Sequence, residues 1–196
     1  MAMIPEITDG LGPGEDEIAI GVLRKVNANG RLGRKLFTEI ARIIPQPIVE
    51  IVVLRMRDGR VETLLIPRPE GDPVWPGMVH SPGVAIRNSD LREEGVDSAP
   101  VSAVERVESE IGNPLLAEPE LVGVYNQKTR RGGVASQIYF AEIAPDAGLP
   151  EGAFWHPVDE LPTLDNFIPD QYPFIELAAR YYAHRISPPP LGVEFV

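Results

Sequence analysis

A short acidic segment contains the side chains best suited to chemistry. Residues 103–112 read AVERVESEIG and carry three glutamates, Glu105, Glu108 and Glu110, beside one arginine, Arg106. Carboxylate oxygens suit hard divalent cations, and side chains three or four positions apart share one face of a helix. Glu105 and Glu108 therefore form a candidate acidic pair. Arg106 and Glu110 share another face, where the guanidinium, which cannot coordinate metal, should pair with the carboxylate.

The same segment also has a purely structural interpretation. Val101, Val104, Val107 and Ile111 recur at helical spacing and predict a stripe that is buried in the core. The glutamates would then form a solvated acidic surface without a ligand.

The acidic segment resembles the catalytic helix of the Nudix hydrolase superfamily, which reads R-E-U-x-E-E-x-G-U, where U is aliphatic. Its nine positions are filled here, in order, by Glu105, Arg106, Val107, Glu108, Ser109, Glu110, Ile111, Gly112 and Asn113. In the superfamily, three glutamates of this helix gather Mg²⁺ or Mn²⁺ against a substrate pyrophosphate. Glu110 alone matches one of them, so the resemblance implies a metal site that has lost most of its helix ligands.

The resemblance implies a set of candidate site residues. Glu110 and Glu105 are the candidate catalytic carboxylates. Glu110, Glu108, Asp97 and the backbone carbonyl of Gly83 are the candidate ligands for Mg²⁺ or Mn²⁺.

Gly83 and Asp97 are selected by their position in the family pattern. Residues 72–85 resemble the family segment in which a tryptophan precedes a strand ending in Pro-Gly-Gly, although Val84 replaces the second glycine. Asp97 lies eight residues before Glu105, where the family has another glutamate. An aspartate just before a helix is also a typical N-cap, so a structural role for Asp97 stays open.

Two adjacent arginines are candidate contacts for an anionic ligand. Arg130 and Arg131 precede two glycines in a segment with the composition of a flexible turn, and guanidinium groups bind phosphate through several donors. Arg106 could bind a phosphate in the same way, without metal. A solvated hairpin turn is the structural alternative for Arg130 and Arg131.

Hydrophobic patterning predicts the elements that position these residues. Ile- and Val-rich segments predict a strand hairpin over 47–57 and 61–66, closed by Asp58-Gly59. Further strands are predicted at 120–126 and 134–143 around a charged turn at 128–133, and 169–185 predicts an amphipathic closing helix. Patterning alone indicates an α+β domain. The resemblance implies a Nudix-like α/β/α sandwich with a mixed sheet and an N-terminal helical extension.

The chain is predicted to have three regions. Residues 47–185 form the Nudix-like domain, residues 1–46 the helical extension, and residues 186–196 a proline-rich tail. Helical spacing at 15–27 and 34–44 indicates a helical hairpin. That hairpin could pack on the domain or join two chains in a homodimer.

Composition narrows the class of partner. A net charge of −11 argues against a nucleic-acid polymer, because phosphate backbones need a basic surface, but it leaves room for a small anionic nucleotide-like ligand. The sequence shows no stretch long enough to span a bilayer, no recognisable secretory signal and no cysteine. We therefore expect a cytoplasmic protein without a membrane partner.

The sequence leaves two functions open. In the first, the protein is a Nudix-like hydrolase that uses Mg²⁺ or Mn²⁺ to cleave the pyrophosphate of a nucleoside diphosphate linked to another group. In the second, the fold is kept as a catalytically inactive ligand-binding or protein-interaction module, because the metal-binding glutamates are largely replaced.

Overall fold

The predicted strands and helices occur in their predicted order, although two short strands, Val79–His80 and Gly83–Ala85, stand between the first hairpin and the central helix. The computed structural model describes residues 14–26, 33–91 and 99–186. The strands are β1 (Gln46–Arg57), β2 (Arg60–Pro67), β3 (Val79–His80), β4 (Gly83–Ala85), β5 (Glu120–Thr129), β6 (Gly132–Ala141) and β7 (Phe154–Pro157). The helices are α1 (Glu15–Leu23), α2 (Arg34–Ile43), α3 (Ala99–Ile111) and α4 (Tyr172–Ile186).

The strands of the described residues form one mixed sheet centred on β1. Along its main path the order is β3-β2-β1-β6-β5, with β4 also paired to β1 and β7 also paired to β2. β1 is antiparallel to β2 and β4 and parallel to β6. The parallel pairing needs a long crossover connection, which contains α3.

The predicted hairpin between β1 and β2 is confirmed. Arg57 pairs with Arg60 across a turn in which Asp58 and Gly59 both have positive φ, 50° and 78°. Glycine, and to a lesser degree aspartate, tolerates this conformation. The second hairpin differs from its prediction, because β5 and β6 pair as far as Thr129 and Gly132, so that the turn proper is Arg130 and Arg131 rather than 128–133.

Helices cover both faces of the sheet. Alternate side chains of a strand point to opposite faces, so Val49, Ile51 and Val53 pack with α3 while Val52 and Leu54 pack with α4. All five are fully buried, and burying a large aliphatic side chain contributes about 1.5–3 kcal/mol before conformational entropy is counted. The two cores confirm the α/β/α sandwich.

The buried stripe of α3 is rotated relative to its prediction. Ala103, Val107 and Ile111 are fully buried and Val104 is half-buried. Val101, predicted to be buried, is 54% exposed. It precedes Ala103 by two residues and therefore points roughly 200° away around the helix.

The two N-terminal helices have different surroundings. α2 packs on the start of β6, where Gly132 has a φ of 138° and a side chain would overlap the carbonyl of Ala41. α1 instead exposes four aliphatic side chains, each between 46% and 69% exposed: Ile18, Ile20, Val22 and Leu23.

Several sequence predictions lie outside the described residues. These are the segment between the N-terminal helices, the proline-rich tail and the candidate ligand Asp97. In the part of the chain that is described, no helix combines the length and apolar character needed to cross a membrane.

Candidate functional site

A small cavity lies beneath α2 and contains most of the buried polar groups of the sheet. Its volume is about 50 Å³, room for a few water-sized groups. Phe37 and Ala41 of α2 form one wall. The polar side chains that line the cavity are Gln46, Glu50, Arg68, His80, Arg131 and Gln171.

Glu50 is the most unusual residue of this cavity. It interrupts the apolar run of β1 and is 7% exposed, and among the described residues its Oε2 atom has no hydrogen-bond partner. Burial raises the pKa of Glu50 to about 8, although Arg68 and Arg131 oppose the rise; Glu110 adds to it. At neutral pH the side chain is therefore a neutral carboxylic acid, which can donate a hydrogen bond.

Gly83 makes room for Glu50. The two residues are partners in the antiparallel pairing of β4 with β1, and a β-carbon at Gly83 would overlap the Glu50 carboxyl group. Its φ is not in the left-handed region. The requirement for glycine is therefore one of space. Val84, in place of the family's second glycine, packs into the core next to α3.

Two arginines share one carboxylate at the cavity wall. Arg68 Nη1 donates to Asp72 Oδ2 at 2.9 Å, and Arg131 Nη2 approaches the same oxygen at 3.4 Å. The other oxygen, Oδ1, accepts hydrogen bonds from the backbone of Val74 and Trp75. Burial by itself raises the pKa of Asp72, but these bonds and the two arginines outweigh it and lower the pKa. Asp72 is therefore ionised and is shared by both guanidinium groups, and the Glu110 carboxyl group lies near enough to Arg68 for the two charges to interact.

Aromatic rings hold the two guanidinium groups in place. The Trp75 ring lies 5.5 Å from the guanidinium carbon of Arg68 and 5.0 Å from that of Arg131, and Phe37 of α2 lies 5.9 Å from that of Arg131. Burial and then the like charge of Arg68 lower the pKa of Arg131, while Asp72 opposes the change. Cation–π contacts of this kind favour a fixed, partly desolvated arginine.

His80 is a neutral wall of the cavity. It is 4% exposed. Burial, which is the larger cause, and the positive charge of Arg68 together lower its pKa to about 3. Its Nδ1 atom lies 2.7 Å from the Ser81 carbonyl oxygen, which can only accept, so Nδ1 carries the proton. Gln171 accepts a hydrogen bond from the Ser81 backbone at 2.8 Å and fixes the same segment.

The sequence predicts that Arg106 pairs with Glu110, but in the described structure Arg106 has other partners. Its Nη2 atom donates to Asp90 Oδ2 at 2.6 Å and to the Ala85 carbonyl at 3.1 Å. Asp90 is buried in a short 3₁₀ turn that follows β4. The predicted contact within α3 is therefore replaced by a contact between α3 and this turn, which forms only when the chain folds. Glu110, the predicted partner of Arg106, is exposed. Partial desolvation of its carboxyl group by neighbouring protein atoms raises its pKa, and the positive charge of Arg68 opposes the rise.

The three glutamates of α3 lie on two sides of the helix. On one side, the charge of Glu110 raises the pKa of Glu50. Glu105 and Glu108 line a separate groove with Tyr139 on the far side of α3. Glu108 Oε1 there accepts a hydrogen bond from the Leu115 backbone at 2.8 Å. The helix therefore does not bring its three carboxylates together.

The two residues of the predicted arginine pair share one groove and differ in their access to the cavity. Arg130 and Arg131 both line a wide groove on the outside of the β5–β6 turn, where Arg130 is exposed. Arg131 also lines the cavity beneath α2. Their joint contact with an anionic ligand stays a prediction.

Comparison with known proteins identifies the fold. No family model and no curated protein matches the sequence, but solved structures match the described architecture. The MutT protein of Methanosarcina mazei Go1 has a TM-score of 0.53 and 17% identity, with 71% of this chain and 97% of that chain covered. The Ap4A hydrolase of C. elegans has a TM-score of 0.51 and 12% identity, with 71% and 99% covered. This chain has the Nudix fold.

A third similar structure was determined with a ligand. The NUDIX domain of Shewanella oneidensis NrtR, complexed with ADP ribose, has a TM-score of 0.50 and 16% identity, with 83% of this chain and 97% of that chain covered. At such low sequence identities the structural similarity establishes the Nudix fold alone. The function has to be inferred from the residues of the site.

The described side chains do not form the acidic cluster of a metal-binding Nudix helix. Over residues 14–26, 33–91 and 99–186, no three His, Cys, Asp or Glu side chains are grouped so that they could hold a metal ion. Arg106 places a fixed positive charge one turn before Glu110. The described carboxylates and the neighbouring arginine therefore do not fit the Mg²⁺ or Mn²⁺ site that the resemblance implies.

Sequence reasoning missed the centre of the cavity. Glu50, Arg68 and His80 are not among the site residues that the sequence predicts. One local signal for Glu50 existed, since it is a single charged residue in the apolar run QPIVEIVVL. Charged residues are rarely buried without a partner or a function.

Proposed function

We propose that this protein is a Nudix-fold module that binds a small anionic, nucleotide-like ligand without metal-dependent hydrolysis. The observation that carries the proposal is the contact of Arg106 with Asp90 and the Ala85 carbonyl. Arg106 fills a position at which the family pattern has a metal-binding glutamate. A guanidinium there opposes a cation and cannot ligate one.

The charge of the cavity supports an anionic ligand. Arg68 and Arg131 share the single carboxylate of Asp72, while His80 and Glu50 are neutral at pH 7. Two guanidinium groups at one cavity are distinctive in a chain whose net charge is −11. The ADP ribose in the similar NrtR domain suggests the class of ligand to try first.

Two variants of Arg106 test the proposal. Arg106→Glu restores a carboxylate one turn before Glu110, and we expect it to gain Mn²⁺ binding in calorimetry that the parent lacks. Arg106→Gln is the matched control, because it also removes the ion pair to Asp90 but adds no carboxylate, and we expect no gain. Tight Mn²⁺ binding by the parent protein, with turnover of nucleoside diphosphate compounds, would overturn the proposal.

Hydrolysis is the second candidate, and one observation favours it. The charge of Glu110 acts on Glu50, and Glu50 lies against Gly83, whose carbonyl is a candidate ligand. Chromatography of nucleoside diphosphate sugars, dinucleoside polyphosphates and ADP-ribose after incubation with Mn²⁺ tests this directly. If products form with the parent and not with Glu110→Gln, hydrolysis is the function.

A further inference from the structure

The groove beside α3 has no part in the proposed function. It has a volume of about 360 Å³, within the range of about 300–1,000 Å³ that is usual for binding pockets. Its main apolar side chains come from α3, from the loop that follows α3 and from two strands of the sheet: Val101, Val104, Leu115, Pro119, Val49 and Tyr139. The groove is therefore a largely apolar depression between the helix and the sheet.

The apolar surface continues from this groove onto the edge of the sheet. Leu121 of the edge strand β5 pairs with Tyr139, and a bulge after Leu121 places Val124 on the same face of the strand. Val101, Leu121 and Val124 are 54%, 56% and 62% exposed. Aliphatic side chains that are exposed singly are ordinary, but a continuous apolar patch marks an interaction surface.

The charges that line the groove are all negative. Glu105, Glu108 and Glu118 contribute three carboxylates, and among the described residues no lysine, arginine or histidine lines it. Glu108 also accepts the hydrogen bond from the Leu115 backbone. Arg106, the cation of α3, is held by Asp90 outside this groove. Electrostatic complementarity therefore favours a partner with positive charges around an apolar centre.

The same charges argue against a second copy of this chain as the partner. A two-fold contact through the groove would bring one set of three glutamates towards an identical set. The net charge of −11 on each chain adds a general repulsion between copies. A different, cationic protein fits the groove better.

The sheet beneath the groove restricts the conformation of the partner. Val49 lies on β1 and Tyr139 on β6, and both strands have hydrogen-bonded neighbours on each side. A segment bound in the groove cannot pair with these strands and has to satisfy its own backbone hydrogen bonds. An α-helix does this, and an amphipathic helix presents an apolar stripe to a groove.

We propose that this groove and the adjoining face of β5 bind an amphipathic helix of another protein, with aliphatic side chains against Val101, Tyr139 and Leu121 and with lysines or arginines next to Glu105 and Glu118. The groove is then a protein-interaction surface on α3. It is separate from the cavity beneath α2 and does not depend on the proposed anion binding.

Two synthetic helical peptides test the class of partner. One contains leucines at spacings of three and four with lysines elsewhere, and the other has glutamate in place of every lysine. Calorimetric titration into the parent protein should show binding of the leucine–lysine peptide, with an affinity at least about tenfold higher than that of the leucine–glutamate peptide. Equal binding of both peptides, or binding of neither, would overturn the proposal.

Matched variants test the location. Val101→Lys should weaken binding of the leucine–lysine peptide about tenfold, whereas Val22→Lys adds the same charge at an equally exposed valine of α1 and should have no effect. Glu118→Lys should weaken binding in the same way, with the exposed Glu151→Lys as its control. If each variant behaves as its control does, the peptide binds elsewhere and the proposal is wrong.

Two further outcomes identify a different occupant of the groove. Sedimentation of the parent as a dimer that Val101→Lys converts to a monomer would show that a second copy fills the groove. A lower thermal stability of Val101→Lys than of Val22→Lys, in a monomer that binds neither peptide, would show that a segment of the same chain covers it. Either result would overturn the proposal.

Discussion

Glu50 and Gly83 face each other across the antiparallel pair of β1 and β4, and the buried carboxyl group of Glu50 packs directly against the Gly83 backbone. This contact joins the Pro-Gly segment of the Nudix pattern to a carboxyl group that the pattern does not contain. It explains why position 83 requires glycine, whereas the adjacent position is occupied by Val84.

Gly83→Ala should destabilise the protein through this contact. The added methyl group overlaps the Glu50 carboxyl group, and overpacking a buried site costs about 1–3 kcal/mol. Adding Glu50→Ala should recover part of the loss, because it removes the overlapping group. Urea unfolding of both single variants and the double variant measures the coupling. Strictly additive effects would show that the two side chains do not compete for this space.

Glu50→Gln should stabilise the protein at alkaline pH. The folded pKa of Glu50 is about 8 and the unfolded value about 4.3, so between these values the folded state holds one proton more than the unfolded state. The parent's free energy of unfolding should therefore lose about 1.4 kcal/mol per pH unit in this window relative to the variant. Denaturation curves at pH 4, 6 and 8 test this. A constant difference between the two proteins would mean that folding does not raise the pKa of Glu50.

Asp72→Asn should destabilise the protein at neutral pH. The variant keeps an oxygen for the Val74 and Trp75 backbone but removes the charge that Arg68 and Arg131 share. Hydrogen bonds to charged groups contribute about 1.5–3 kcal/mol each when buried, and we expect a loss of about 1–3 kcal/mol at this partly buried site.

The stability difference between the parent and Asp72→Asn should disappear at acidic pH. Because the folded pKa of Asp72 is depressed, its contribution is present above the unfolded pKa of about 3.9 and is lost as the pH falls through the folded value. Thermal unfolding from pH 7 to pH 2 should show the parent and variant converging. Asp58→Asn is a control, because Asp58 forms only an exposed ion pair with Arg57 and such pairs contribute little. An equal loss in both variants would argue against the shared-carboxylate cluster.

The strands and the hairpin turn could be predicted because their signals are local. The apolar run of β1, the Asp58-Gly59 turn and the spacing of α4 each lie within a few residues. The cavity could not be predicted, because Glu50, Arg68 and Arg131 meet only through the parallel pairing of β1 with β6 and the position of α2. The partner of Arg106 was missed for the same reason. Asp90 is sixteen positions away in sequence, and helix spacing favours only contacts of three or four.

Gly132→Ala should loosen α2 from the domain. Gly132 has a φ of 138°, which L side chains rarely adopt, and the added carbon would meet the Ala41 carbonyl. We expect α2 to move away, so that protease cleavage in residues 33–45 becomes faster and anion binding beneath Phe37 weakens. Gly148→Ala is the matched control, since nothing lies within 4 Å of its β-carbon position. Equal protease resistance in the two variants would contradict this account of α2.

The central claim is anion binding without metal, and titration of ADP-ribose by calorimetry tests it most directly. One titration would contain EDTA and the other Mn²⁺, and the solution would be examined for AMP afterwards. We predict the same affinity in both buffers and no AMP. Binding that requires Mn²⁺, together with the appearance of AMP, would contradict the account and establish a hydrolase.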